Sequence, residues 1–233
     1  MKALITGGSR GIGRAIAEQL AQAGFELLLV SRNETRLSRT ARDLQARGKL
    51  PVDSFPCDLA DLKQVDRLFQ HCQKLRFVPD VLVHSAGIFI EGSVSHSEPE
   101  VLTKQFDVHV LSMYYLTKLL LPAMRKKKAG RIIIIGSTAG LEDYPTGALY
   151  GISKWATRGY AVNLREELKD AGIGVTLVSL GGTFTDIWAE DELPPKRLMP
   201  ASDIGKLVRC AVSLEPESVV EEIVVRPQLG DIH

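Results

Sequence analysis

Short apolar runs alternate with longer amphipathic stretches along the whole chain. Ala3-Leu4-Ile5 predicts a strand, and Arg14 to Ala23 the helix that leaves the glycine-rich turn after it. Glu26 to Ser31 reads as a buried strand and Glu34 to Ala46 as a polar helix. Val52 to Cys57, Val81 to His84, Arg131 to Ile135, Val175 to Ser179 and Glu222 to Val225 complete the strands. The run of isoleucines at 132–135 is too β-branched for a helix of that length. Helices are predicted at Asp61 to Leu75, Pro99 to Lys127, Leu149 to Asp170 and Ala201 to Ser213, with Pro122 as the expected place of a bend.

Near-continuous apolar strands separated by helices imply an α/β fold, a doubly wound parallel sheet of seven strands with helices on both faces. No linker rich in Gly, Ser or Pro divides the chain, so residues 1–233 are expected to form a single domain. The irregular stretch 181–200, with Pro194-Pro195, is long for a loop in a compact domain and is expected to be a substrate-binding loop or lid. Ligands of such sheets lie beyond the carboxyl ends of the strands. Gly7 to Gly13, Ser31-Arg32, Asp58, Ser85 to Gly87, Ser137 and the loop from Gly181 all fall at such ends.

Composition changes this picture little. A formal net charge of +1 excludes a large electrostatic pull toward nucleic acid or anionic membrane. The run Arg125-Lys126-Lys127-Lys128 closes a helix, where cations suit the dipole. Cys57, Cys72 and Cys210 are scattered, without metal-ligand spacing or a disulfide framework, which fits a cytoplasmic setting. The first strand starts at once, so no signal peptide is expected. Polar residues interrupt the apolar stretch from Val108 to Met124, which reads as a buried helix and not a membrane span.

The candidate chemistry starts at Thr6-Gly7-Gly8-Ser9-Arg10-Gly11-Ile12-Gly13. Glycines between a strand and a helix allow a tight turn and a close approach to bare backbone. The helix that follows aims its free N–H groups at the same place, a site for a dinucleotide pyrophosphate. Without a Gly-Lys-Ser/Thr ending, a P-loop is excluded. NAD sites carry a carboxylate at the end of the second strand; here Ser31 and Arg32 stand there, with Arg10 in the turn. A guanidinium grips a 2′-phosphate that a carboxylate would repel, which points to NADP(H).

Tyr150 and Lys154 lie one helical turn apart, on one face. A neighbouring ammonium is expected to lower the Tyr hydroxyl toward neutral pH, and Ser137 to hold a substrate carbonyl beside it. Together they suit proton delivery to a ketone oxygen while hydride arrives from a nicotinamide.

These residues resemble the short-chain dehydrogenase/reductase family over essentially the whole chain, which implies a Rossmann fold. Thr6-Gly7, Gly11, Ile12 and Gly13 match its cofactor turn, Asp58-Leu59 its adenine contact, and Ser85-Ala86-Gly87 the end of its Asn-Asn-Ala-Gly motif. Ser137, Tyr150 and Lys154 match its catalytic residues, the lysine also binding the nicotinamide ribose, and Thr183 and Thr185 fall where it contacts the carboxamide. The family's catalytic Asn is His109 here, either an altered proton relay or a packed helix residue. The long helices pair across subunits in that family, which implies a homodimer or homotetramer. The tail, Phe184 to Trp188 and Val220 to Ile232, resembles bacterial sepiapterin reductases. Trp188 is then either a stacking partner for a pterin or a lid anchor for any substrate.

The expectation is an NADPH-dependent carbonyl reductase acting on a small-molecule ketone or, in reverse, an alcohol. Sepiapterin reductase, a 3-oxoacyl thioester reductase and a dinucleotide-binding regulatory protein are the alternatives. A hydrolase using Ser137 and His109 is disfavoured, because Ser137 lacks a Gly-x-Ser-x-Gly elbow.

Overall fold

The computed structural model describes residues 1–145, 147–185 and 196–231. Seven strands form one sheet: β1 (Lys2–Thr6), β2 (Glu26–Ser31), β3 (Val52–Pro56), β4 (Val81–His84), β5 (Gly130–Ile135), β6 (Ile173–Leu180) and β9 (Glu222–Val225). Every pair is parallel and the order is β3-β2-β1-β4-β5-β6-β9. The order reverses between β1 and β4, which opens a crevice at their carboxyl ends. The helices are α1 (Gly11–Gln22), α2 (Glu34–Arg47), α3 (Leu62–Lys74), α4 (Pro99–Phe106), α5 (Ser112–Lys127), α6 (Ala148–Leu168) and α7 (Ala201–Val212).

Side chains alternate across each strand, so one sheet feeds two cores. Leu4, Leu28, Leu82, Ile132 and Ile134 face Leu68, Leu116, Met124 and Leu164 of α3, α5 and α6. Ala3, Ile5, Leu27, Leu29, Val83 and Ile133 face Ile16, Leu20, Leu37, Ile204 and Val208 of α1, α2 and α7. This two-sided burial explains the apolarity of the central strands β1, β2, β4, β5 and β6.

Two regions carry features that the pattern does not report. The helix from Pro99 carries Pro122 within α5 and runs on to Lys127. Its change of helical type comes earlier, at a π segment, Asp107–Leu111, that holds His109. Within the stretch 181–200, β7 (Thr183–Phe184) pairs in parallel with β8 (Met199–Pro200). Residues 186–195, with Trp188, lie outside the described residues. Among the described residues no helix is long and apolar enough to cross a membrane.

Candidate functional site

A cavity of about 480 Å3 runs along the crevice, lined at one end by Gly7, Ser9 to Gly13, Ser31, Arg32, Asp58 and Leu59. Its other end is lined by Ser137, Tyr144, Tyr150, Lys154, the segment 180–183 and Asp231.

The first end is built by main chain. Gly7 has φ +69° and Gly11 +52°, the left-handed region that favours glycine. A Cβ on Gly7 would lie 2.9 Å from Ala86 N and Ser85 O, so the turn also needs a bare α-carbon there. Thr6 Oγ1 donates to Val83 O (3.2 Å) and accepts from Ser85 N (3.1 Å) and Ala86 N (3.2 Å), which locks the turn to the end of β4. The first turn of α1 has no side-chain cap, whereas Asn33 caps α2 and Asp61 caps α3. The first N–H groups of α1 are thus left to an anion. Ser9 and Ser31 share a hydroxyl hydrogen bond of 2.8 Å, and Thr40 holds Ser9 O at 3.0 Å. Arg10 and Arg32 are exposed at the cavity edge. Asp58 accepts from Ala60 N (3.1 Å) and so shapes the turn after β3, beside the buried Leu59.

The second end is built by side chains. Ser137 follows β5, accepts from Ala139 N (3.2 Å) and lies close enough to the Tyr150 hydroxyl to pull its pKa down. Tyr150 and Lys154 stand on the first turns of α6. Lys154 is buried, with Nζ 5.4 Å from the Tyr150 ring centroid. Burial is the main influence on both groups. It raises Tyr150 to about 12, against the pull of Ser137, and lowers Lys154 to about 8. The expected lowering of Tyr150 by the lysine is absent, because desolvation disfavours both charged forms.

His109 is 3% exposed, and both ring nitrogens are engaged. Nε2 accepts from Ile88 N (3.1 Å), so Nδ1 carries the proton and donates to Ser153 Oγ (2.8 Å). Ser153 Oγ donates in turn to Tyr150 O (2.7 Å). Burial, then Lys154, push His109 down to about 2, so the ring is neutral. Gly87 lies against it: a Cβ there would be 3.4 Å from His109 Nε2.

Thr183 is buried and donates to Gly181 O (3.1 Å). Thr185 leans instead over the glycine turn, its Cγ2 being 3.1 Å from where a Gly11 Cβ would lie. Ser85 Oγ is buried without a hydrogen-bond partner among the described residues. The structure also brings Phe89, from the segment Ile88 to His96 expected to shape the substrate end, together with Tyr144 and Asp231, which sequence patterning did not single out. Arg226 pairs with both Asp231 and Glu142, and Arg197 donates to Gly230 O (2.7 Å) and Asp231 O (2.9 Å). These bonds draw the tail across the cavity edge.

A family profile for short chain dehydrogenases matches residues 1–195. The chain belongs to this family. Among its relatives is the sepiapterin reductase of Chlorobaculum tepidum, 32% identical over 98% of this chain and 97% of that one. The alcohol dehydrogenase of the archaeon Thermococcus sibiricus, solved with 5-hydroxy-NADP, superposes with a TM-score of 0.92 at 25% identity, covering 100% of this chain and 98% of that one. A metagenomic short-chain oxidoreductase solved with NADP gives 0.85 at 29% identity, covering 98% and 97%. The short-chain dehydrogenase fold and an oxidoreductase activity follow for this chain. Among the described residues no cluster of side chains could hold a metal ion.

Proposed function

We propose that the protein is an NADP(H)-dependent carbonyl reductase that converts a small-molecule ketone to its alcohol. The observation that carries this is the convergence of Ser137, Tyr150 and Lys154 at one end of a cavity whose other end is the glycine turn with its arginines.

The residues present fit the dinucleotide. The uncapped α1 N-terminus and the turn at Gly7 to Gly13 receive the pyrophosphate, with Asp58 and Leu59 beside the adenine. Arg10, Ser31 and Arg32 receive the 2′-phosphate, and no carboxylate stands at the end of β2 to repel it. Ser85, Ala86, Gly87, Gly181 and Thr183 line the way to the reacting end, and Thr185 stands over the turn. The NADP in two solved relatives supports the same assignment.

When bound, the cofactor supplies a hydride for the carbonyl carbon. Ser137 hydrogen-bonds the carbonyl oxygen and sets it beside Tyr150. Burial keeps the Tyr150 hydroxyl protonated at neutral pH, so the proton is present to be given to that oxygen as negative charge develops on it. The Ser137 hydrogen bond and the Lys154 ammonium then stabilise the phenolate. His109, neutral and held on both sides, acts as a positioning residue for the segment after β4 and for α6. The segment 181–200 serves as substrate loop of a single domain. Exposed Leu111, Tyr114, Trp155 and Val162 support pairing of the long helices into a homodimer or homotetramer.

The test is NADPH consumption with a panel of ketones, diketones and sepiapterin. At least one carbonyl compound should oxidise NADPH and outpace the same reaction with NADH. The rate of reduction should fall as pH rises through about 8, where Lys154 loses its charge. NADPH binding without oxidation by any carbonyl compound would favour a regulatory role instead.

A further inference from the structure

We infer that the substrate end of the cavity is a preformed aromatic corner, and that it takes carbonyl compounds carrying an aromatic ring next to the reacting carbonyl. The inference rests on the carbonyl-reductase reading for the reacting group and adds the class of its substituent.

Three rings meet there. Phe89 lies edge-on to Tyr150, with centroids 5.2 Å apart at 77°, and edge-on to Tyr144, at 6.3 Å and 89°. Tyr144 and Tyr150 are 5.9 Å apart. The rings come from separate segments: the loop after β4, the loop after β5 and the start of α6. No local pattern in the chain brings them together.

The corner is held from behind. The peptide N–H groups on either side of Phe89 are both bound by buried side chains of the long helical segment. Ile88 N donates to His109 Nε2 (3.1 Å) and Ile90 N to Gln105 Oε1 (3.4 Å), and Gln105 is wholly buried. Gly92 and Gly147 then join the two loops by a parallel bridge. Gly147 has to be glycine for the corner to exist: a Cβ there would stand 2.9 Å from the Phe89 ring and 2.9 Å from the Tyr144 ring. With its backbone pinned, Phe89 lines the cavity and is 42% exposed overall.

Among the described residues, this exposed ring on a fixed backbone offers apolar surface for a further contact. Ring pairs prefer edge-to-face or offset geometry, which an incoming ring can complete against Phe89 and Tyr144 while Tyr150 meets its carbonyl. A saturated ring of the same size gains the burial but not the ring–ring contact. Pinning both loops beforehand reduces the ordering cost of that contact.

The experiment compares acetophenone with cyclohexyl methyl ketone, which share connectivity and differ in aromaticity. Affinities are measured by calorimetry on protein saturated with NADP+, where no reduction follows. Acetophenone should bind about three- to tenfold tighter. Phe89→Leu should bring the two affinities together, and Tyr144→Phe, which keeps the ring, should preserve the preference. Should Phe89→Leu fail to fold, Tyr144→Leu removes the other wall and should show the same loss. Equal affinities in the parent protein, or an undiminished preference in the leucine variants, overturn the inference. NADPH consumption by the two ketones is followed separately. A preference that obeys the variants upholds the aromatic corner, and the reductase reading falls separately if no compound of the wider carbonyl panel consumes NADPH.

Discussion

The β1–β2 end of the cavity holds its shape with main chain: glycines at positive φ, an uncapped helix start, and Thr6 bonded across to β4. The β5–β6 end holds its shape with side chains gathered from distant segments: Ser137 after β5, Tyr150 and Lys154 on α6, Phe89 after β4, and Asp231 in the tail. At the first end a change of side chain away from Thr6 and the turn glycines leaves the geometry largely in place, since backbone makes it. At the second the same change alters the surface a substrate meets. One fold thereby keeps a constant cofactor grip while its substrate end remains open to variation. Each substitution below tests whether the two ends are as separable as this division requires.

The largest effect belongs to the side-chain end. Tyr150→Phe removes the hydroxyl but keeps the ring packed against Phe89 and His109. Turnover should fall by roughly 10²–10⁴, the usual contribution of a positioned acid. The dissociation constant for NADPH should stay within about twofold of the parent, as the main-chain end is untouched. Steady-state rates and fluorescence titration give the two numbers. A turnover near the parent's would remove Tyr150 from the chemistry, and a collapse of NADPH binding would join the two ends.

The unequal legibility of the two ends in the sequence has the same physical origin. β2, β4 and β9 follow the boundaries that patterning predicts; for β2 and β4 two-sided burial leaves an uninterrupted apolar run. The turn from Gly7 to Gly13 is legible because a left-handed backbone restricts the residue type at its own position. Ser137, Tyr150 and Lys154 are legible by resemblance, and the fold brings them to one cavity. Ile88 to His96 was legible as a segment that shapes the substrate end, but the meeting of its Phe89 with Tyr144 and Asp231 is tertiary, and nothing local marks it. Gly147, one residue before α6, was the one available hint that something crowds that position. The electrostatics misled for a related reason. Spacing sets Lys154 beside Tyr150, but burial, which spacing does not report, decides both protonation states. His109 was ambiguous until the partners of both ring nitrogens were visible.

The next effect in size belongs to the main-chain end. Arg32→Asp removes a charge-assisted contact to the 2′-phosphate and sets a carboxylate in its place. A hydrogen bond to a charged group contributes about 1.5–3 kcal/mol. NADPH binding should therefore weaken by about one to two orders of magnitude, with repulsion adding to that. NADH binding should change little, and the preference between two ketones should not change at all. The ratio of NADPH to NADH dissociation constants at one fixed salt concentration checks the first claim, and paired kcat/KM values check the second. An unchanged cofactor ratio would reduce Arg32 to a solvated residue at the start of α2 and withdraw the choice of NADP(H) over NAD(H).

The smallest effect on function, and the sharpest on the comparison, should come from Thr6. This residue is 1% exposed, and its hydroxyl serves three backbone groups. Thr6→Val keeps the shape and the β-branched fit to the strand but leaves Ser85 N, Ala86 N and Val83 O without that hydroxyl. A buried group stripped of its partner costs about 1–3 kcal/mol, so stability should fall by about that much. The urea midpoint should drop with an unchanged slope, the sign of lost stability without a change in compactness. Thr6→Ser keeps the hydroxyl and should recover most of the loss. Because Ser85 to Gly87 pass from the Thr6 anchor toward His109, dinucleotide affinity should weaken only a few-fold, and the aryl preference set by Phe89 should persist. That persistence is what the division demands, since Phe89 is held by His109 and Gln105 and not by the glycine turn. If the aryl preference disappears together with the Thr6 hydroxyl, the segment after β4 transmits strain from one end to the other, and the two ends form one cooperative site.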